Sequence, residues 1–533
     1  MEISNSKFKN IFSLCILGIT FGLTLYFVLW LSRGSFNSDW ADSLYWAKAA
    51  YDAKSFFNPD FIYACTLPFG GQWFFLPFIG IFGVSMKTQL LGMSLFLLVF
   101  TLTLFFFFKI IRFSTNESCL SCAFILLILS SSAKLREIFW GHVLYYSCGV
   151  LGIQIGFLLF FYYTRKPIPE NSRQKRIELI RLCIWMFLCA SNGNSVMPLT
   201  VIPLFAGIIG EKLLRQEPLS LKQSSGFWCS VMILFLVSVV GYLWGTNLAS
   251  AYPSEYADGY LIYSDISNWP DNFLRLFTSW LTLLGAAPAA NDPIVSLSGF
   301  SVLLKICAGI FLAGIPVFML ISYSKIKSRA IRIYTLTHWT LTAVILFGWI
   351  FGELSNLTWR LSPLVYSSAV MTAFFFHWVL TEQRGLIMKR LACVSVLTVI
   401  ATCLLIFSEV VSLPSNYLAV NPHFALAAFL KEKNLTYGYA EFWEAAALTV
   451  ITDSDIQVRN ILINDDFYSI HFYQTNINWY RDQENVEQYF IVVSSSLYEH
   501  MVSVEHFLIQ TMDEIYQAEN YIILVYNHNL FSV

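Results

Sequence analysis

The segment Ser38-Asp39-Trp40-Ala41-Asp42-Ser43-Leu44-Tyr45-Trp46 carries the residues best suited to chemistry. If it is helical, Asp39, Asp42 and Trp46 share one face, because residues three and four apart are neighbours on a helix. Two carboxylates and an indole then stand together just beyond the first long apolar run, residues 11–31. A carboxylate partly removed from water holds its proton more tightly and can act as a base. The plainer reading is two solvated acids at a helix start, stabilised by the helix dipole. Tyr45 and Trp46, beside the acids, are the residues expected to meet a substrate.

Basic candidates lie elsewhere. Arg360 follows Trp359 at the end of a late apolar run, Lys305 sits just inside another, and Lys134, Arg136 and His142 cluster between two more. Guanidinium matches phosphate oxygens bidentately, and an ionisable residue within a membrane span is a functional candidate by default. Each also has a plain reading: a pair with Glu353 for Arg360, snorkelling for Lys305, lipid headgroups for the cluster. His338 and His377 fall toward the opposite ends of their spans. No zinc spacing, nucleotide loop or Ser/His/Asp constellation appears. The lone Cys119-x-x-Cys122 reads as two helix-packing thiols. No cysteine follows Cys403, so the tail has no disulfide framework. The sequons at Asn116, Asn356 and Asn434 match by pattern only.

Composition says what must position these residues. Charged residues are 13% of the chain, hydrophobic ones 56%, and mean hydropathy is +0.60. A soluble domain carries roughly 25% charged residues, so lipid wets much of this exterior. Aromatics reach 17%, which suits lipid-facing helices and interfacial belts. The net charge of −1 offers nothing to a nucleic acid. Since roughly 20 apolar residues span the hydrocarbon, about eleven spans are expected: residues 11–31, 88–111, 117–133, 142–163, 178–192, 196–214, 226–246, 300–323, 333–352, 361–381 and 391–411. Asn192-Gly193-Asn194 and Pro198 read as a tight turn between two short spans.

With the N-terminus inside, the short segments 1–10, 109–116, 164–181, 212–225, 325–332 and 382–390 hold 20 of the 33 Lys and Arg. That bias sets orientation and puts residues 32–87, 247–299 and the tail outside. Asp39–Phe57 has the aromatic, helical spacing of a helix lying in the interface. The loop 247–299 carries Glu255, Asp258, Asp265, Asp271 and Asp292. After Pro414 the pattern changes. Helices are predicted at Asn421–Lys433, Glu441–Val450 and Ser503–Gln517, and strands at Leu435–Tyr439, Ile456–Asn460, Gln488–Ser494 and Tyr521–Tyr526. Alternating elements argue for a small α/β domain. The expected architecture is thus an α-helical polytopic membrane domain, 1–411, followed by a periplasmic α/β domain, 412–533.

A long first outer loop opening on an acidic pair, followed by Asn58-Pro59 and Pro68-Phe69-Gly70, resembles the polytopic glycosyltransferases of the GT-C class. Trp359-Arg360-Leu361-Ser362-Pro363 and Tyr437-Gly438-Tyr439-Ala440-Glu441-Phe442-Trp443-Glu444-Ala445 are similar to segments at a late span and at the start of the outer domain in such proteins. The nearest likeness is to bacterial members that take sugar from a polyprenyl-phosphate carrier, including serotype-converting glucosyltransferases. The acids depart from the family pattern: Asp-x-x-Asp stands where better-known members have adjacent Asp-Glu or Asp-x-Asp, which leaves open which acid is the base.

The resemblance implies an undecaprenyl-phosphate-linked hexose, glucose in the serotype-converting members, as donor. It implies a lipid-linked or surface glycan such as lipopolysaccharide O-antigen as acceptor, and inverting transfer at the outer side of the bacterial inner membrane. Asp39 and Asp42 would be base and partner. Arg360, Lys305, Arg136, Lys134 and His142 would hold the donor phosphate, and the tail would position the acceptor. Two such carboxylates could share a divalent metal, Mg or Mn, though many relatives work without one. The rivals are an O-antigen polymerase or ligase, a lipid-linked sugar transporter or flippase, and a structural envelope partner. Polymerases and ligases use essential Arg and His in a long late loop, where 247–299 has one Arg and no His.

Overall fold

The computed structural model describes residues 2–164, 172–214, 221–252, 254, 262–288, 291, 293–382, 385–484 and 486–531. In chain order its helices are α1 (Glu2–Leu29), α2 (Asp42–Ala53), α3 (Gln72–Phe82), α4 (Met86–Ile110), α5 (Thr115–Ile128), α6 (Ala133–Arg136), α7 (Tyr145–Thr164), α8 (Ser172–Ser191), α9 (Gly193–Leu214) and α10 (Leu221–Ala249). They continue with α11 (Trp269–Leu283), α12 (Leu297–Ile321), α13 (Arg329–Ile350), α14 (Ser362–Glu382), α15 (Leu386–Val411), α16 (Tyr417–Val420), α17 (Pro422–Glu432), α18 (Phe442–Ile451), α19 (Ser495–Ser503) and α20 (Phe507–Thr511). The strands are β1 (Phe61–Ile62), β2 (Tyr437–Ala440), β3 (Gln457–Ile463), β4 (Tyr468–Ile470), β5 (Thr475–Asn476), β6 (Tyr489–Ser494), β7 (Glu514–Ala518) and β8 (Tyr521–Tyr526).

The protein is polytopic and α-helical. Among the described residues nine helices are long and apolar enough to cross a membrane: α1, α4, α7, α9, α10, α12, α13, α14 and α15. A tenth crossing is made if α5 and the helical segment Ala133–Gly141 count as one span bent by 115°. The remaining expected span is α8, whose first half is basic (Arg173, Lys175, Arg176, Arg181) and too polar to qualify.

The chain divides into two compact units. One comprises Met1–Leu25, Leu97–Asn247 and Asp258–Ser412. Its centre is aromatic: Phe107, Phe157, Tyr334 and Phe374 meet edge to face, tilted or stacked, with centroids 5.1 to 5.9 Å apart. Such pairs add to their area burial. At Gly207 the backbones of α9 and α13 approach so closely that a Cβ would stand 2.7 Å from Ile333 O, as small residues permit in membranes. Beside it Glu211 accepts from Arg332 (2.8 Å) and Arg329 (3.3 Å), so its buried charge is paired. The start of α5 is set by a capping box in which Ser114 and Glu117 satisfy each other's backbone amides. The expected turn at residue 192 is present, with Gly193 at φ 61°, but Pro198 lies inside α9 rather than in that turn.

A helix of strong amphipathic character occurs in this unit, though not where predicted. On α11, buried Asn272 donates to Ile350 O (3.2 Å) and accepts from Ser355 (2.7 Å), and Trp280 donates to Gly309 O. Phe273, Leu274 and Phe277 on its other side are exposed. One docked face and one open apolar face suit a helix in the membrane interface. The interfacial helix expected at Asp39–Phe57 is therefore a correction: α2 is interior, with Leu44 and Ala47 wholly buried.

The other unit comprises Tyr26–Phe96, Leu248–Ala257 and Leu413–Val533. Residues of the long first loop thus fold with the C-terminal residues. The expected α/β alternation is present as a mixed six-stranded sheet of order β4-β3-β2-β6-β8-β7. β2 pairs in parallel with β3 and β6, and the outer pairs are antiparallel. One sheet face buries Leu426, Leu430, Leu448 and Phe490 with α17 and α18. The other is rich in tyrosine: Tyr437, Tyr439, Tyr480, Tyr489 and Tyr526. β1 and β5 form a separate antiparallel ladder, Phe61 opposite Asn476, that joins the first loop to this domain. The helix predicted at Ser503–Gln517 is a correction: α19 ends there, α20 is one short turn, and residues from Glu514 onward pair with β8. Glu255, Asp258 and Asp292 lie outside the described residues.

Candidate active site

The acid pair sits on a turn whose flanks are both tied to the C-terminal residues of its own unit. Ser38–Ala41 is a 3₁₀ turn and Asp42 opens α2, so Asp39 and Asp42 stand on successive elements rather than on one helix. Upstream, Asn421 Nδ2 donates to Arg33 O and Phe36 O, both at 2.9 Å. Ser38 Oγ donates to Trp443 O (2.9 Å) and accepts from Ala447 N (3.1 Å). Those two groups would normally bond each other in the first turn of α18. The hydroxyl is inserted into that helix ladder, which fixes the residue immediately before Asp39.

Downstream, Asp42 is 4% exposed and Asp39 is half-buried. Burial, with the Asp39 carboxylate beside it, holds the Asp42 carboxyl well above the usual carboxylate range, and the Gln474 amide opposes this only in part. Trp46, one turn on and 2% exposed, donates its indole N–H to Gln474 Oε1 at 2.6 Å. An indole can only donate, so this bond fixes the amide's orientation. Gln474 itself sits at φ 50°, in the left-handed region, which aims its side chain from the β4–β5 loop. Tyr45 is buried against Trp479, with ring centroids 5.7 Å apart. Arg459 lies 4.2 Å over the same Trp479 ring and donates to Tyr437. Tyr45 and Trp46, expected to meet substrate, are buried here, one against Trp479 and the other bonded to Gln474.

The five basic candidates all belong to the other unit, and four of them lie near two carboxylates there. The break between α5 and α6 falls at Ser130-Ser131-Ser132, where Ser132 Oγ donates to Leu283 O and Arg136 donates to Ser130 O. Lys134 pairs with Glu137 (2.6 Å) and lies 4.4 Å over the Trp359 ring. His142 Nε2 is 3.9 Å from the same Glu137. Lys305 is buried against Glu409 at 2.7 Å, so it does not snorkel. Arg136 is also within electrostatic reach of Glu409. Arg360 is 1% exposed and donates to the backbone O of Glu353. His338 bonds Ser367 and His377 pairs with Glu117, both structural contacts.

One solved structure is similar to this chain. It is a crystal structure of ArnT from Cupriavidus metallidurans bound to undecaprenyl phosphate, with 10% sequence identity, a TM-score of 0.49, and 97% of this chain and 98% of that chain covered. No family model matches the sequence, and no curated protein is similar to it.

Among the described residues no group of three or more His, Cys, Asp or Glu could hold a metal ion. Asp39 and Asp42 would supply two ligands of a divalent ion that usually takes six or more oxygens. They are a poor fit to a resident metal, and no step below runs through one.

Two carboxylates beside the acid turn emerge only from the fold. Glu441 and Glu444 open α18, whose ladder Ser38 enters. Burial, with the Glu441 carboxylate behind it, pushes the Glu444 carboxyl up to about 7. A folded-state value above the unfolded one means that the folded protein binds the proton more tightly. Stability therefore falls as pH rises from the unfolded value of 4.5 toward 7. The variant Glu444→Gln should unfold at a higher temperature than the parent at pH 8, by a stability difference on the order of 2 kcal/mol, and show little gain at pH 5. Thermal melts of the purified protein at both pH values check this.

Proposed function

We propose that this protein is a glycosyltransferase of the GT-C type. It moves one hexose from polyprenyl phosphate to a surface glycan such as O-antigen, at the outer side of the bacterial inner membrane. The observation that most supports this reading is the acid turn: a buried carboxyl beside a half-buried one, on a segment tied at both flanks. Such a pair separates the proton affinities of two like groups, the usual arrangement for acid–base work.

One acid of the pair takes the acceptor hydroxyl's proton as the acceptor oxygen bonds the anomeric carbon. The bond from that carbon to the phosphate oxygen breaks, and the configuration inverts. The leaving group is a phosphate monoester, so no strong general acid is required. Arg360, with Lys305, Arg136, Lys134 and His142, carries the phosphate role. Arg360 is assigned the main share, because its planar guanidinium matches phosphate oxygens bidentately.

A lipid-linked sugar transporter is the second reading. It is favoured by the 115° break between α5 and Ala133–Gly141, since interrupted helices line transporter sites.

The test is to change Asp39 and Asp42 singly to Asn in the native host and weigh the surface glycan by mass spectrometry. Loss of one hexose in at least one variant, at normal expression, is the expected result. An unchanged glycan in both would remove the enzymatic assignment.

A further inference from the structure

Two hydrogen-bonded features converge on the acid turn from the C-terminal residues. Ser38 is seated in the α18 ladder, and Gln474 faces Asp42 with its Oε1 already taken by Trp46. The Nε2 of Gln474 is buried and has no acceptor within hydrogen-bond distance among the described residues. A buried donor is costly to leave unmet, so it is held for the Asp42 oxygen it faces.

Asp42 has no Lys, Arg or His partner among the described residues. The groups that face it are Asp39 from the preceding turn and Gln474 from the β4–β5 loop. Arg459 of β3 acts instead on Tyr45, which lies between them on α2. Glu441, at the start of α18, acts on Glu444, and Glu444 acts on Tyr521. A carboxyl buried as deeply as Asp42, with a second carboxylate beside it and only an amide to oppose them, keeps its proton.

On the transferase reading, we propose that Asp42 is the protonated, positioning member of the pair and Asp39 the charged one that meets the acceptor hydroxyl, with Ser38, Trp46 and Gln474 as the clamp that holds this division. The C-terminal domain then belongs to the catalytic machinery itself, because without its α18 and its β4–β5 loop the turn carrying Asp39 has no fixed seat. The proton moves from the acceptor hydroxyl to Asp39, and Asp42 keeps its own proton throughout.

The experiment uses the full-length protein in detergent with a synthetic polyprenyl-phosphate hexose. The first readout needs no turnover: infrared difference spectra between the parent and Asp42→Asn at neutral pH. The parent should show the carbonyl stretch of a protonated carboxyl that the variant lacks. The second is kinetic. Asp39→Asn should lose about a thousandfold in kcat, within the range for removing a general base. Asp42→Asn is neutral like the protonated acid and still offers a carbonyl to Gln474, and it should lose only about three- to tenfold. Its acid limb of kcat/KM against pH should stay where the parent's lies, because no charge beside Asp39 has been removed. Gln474→Leu should lower kcat by about tenfold with little change in KM.

An acid limb that moves down by about one unit in Asp42→Asn would show that Asp42 was charged and would overturn the proposal. So would an infrared spectrum with no lost carboxyl band, or an Asp42→Asn variant as inactive as Asp39→Asn. If the band is lost but both variants transfer sugar at the parent rate, the transferase roles fail while the protonated Asp42 stands.

Discussion

Asp39→Asn should abolish sugar transfer, to about a thousandth of the parent rate or below, while leaving the melting temperature within a degree or two. The stability expectation follows from its half-buried place on a turn fixed by its neighbours. Ser38 anchors to α18 and Asn421 to the backbone of Arg33 and Phe36, and neither contact uses the Asp39 side chain. Asn keeps the shape of Asp and cannot take a proton at neutral pH. A large kinetic loss without a thermal one separates a chemical role from a packing role. Purified variants assayed for turnover and melted side by side give both numbers.

The second large effect is expected at Arg360. Its guanidinium is buried and bonded through Nη1 to Glu353 O at 3.1 Å. Lysine retains the charge but not the planar fork that grips two phosphate oxygens. The variant Arg360→Lys should therefore lower kcat/KM for the lipid-phosphate sugar by about a hundredfold, the size of effect seen when one preorganised donor is removed. Arg360→Met keeps much of the volume and should be slower still. If Arg360 is only a fastener for the Glu353 segment, both variants lose yield or melting temperature, and the protein that remains turns over normally.

Much of the membrane architecture was legible in the sequence because each span is a nearly continuous apolar run. The limits were physical. Ser130-Ser131-Ser132 interrupts one such run, and hydropathy averaged over a window passes across it. At the bend Ser130 and Ser132 bond other backbone and side-chain groups. In the tail, the stretch after Ser503 has helical composition, yet from Glu514 it pairs along β8, so tertiary pairing overrides local preference.

The acid pair was legible from spacing alone, but the contacts that hold it were not. Gln474 lies 428 positions from Trp46, and Trp443 lies 405 from Ser38. Nothing in local pattern marks a glutamine in a loop or a serine before an aspartate as the groups that bond across such separations. The aromatic spacing around Tyr45 and Trp46 suggested a membrane surface or a sugar. Both side chains are instead buried, one against Trp479 and the other against Gln474.

The most direct measurement is release of free polyprenyl phosphate when the purified full-length protein meets a polyprenyl-phosphate hexose and a lipid-linked glycan acceptor. The account predicts carrier released in step with hexose gained by the acceptor, and neither with Asp39→Asn. Intact donor crossing a liposome bilayer with no carrier set free, or equal release by parent and Asp39→Asn, would contradict it.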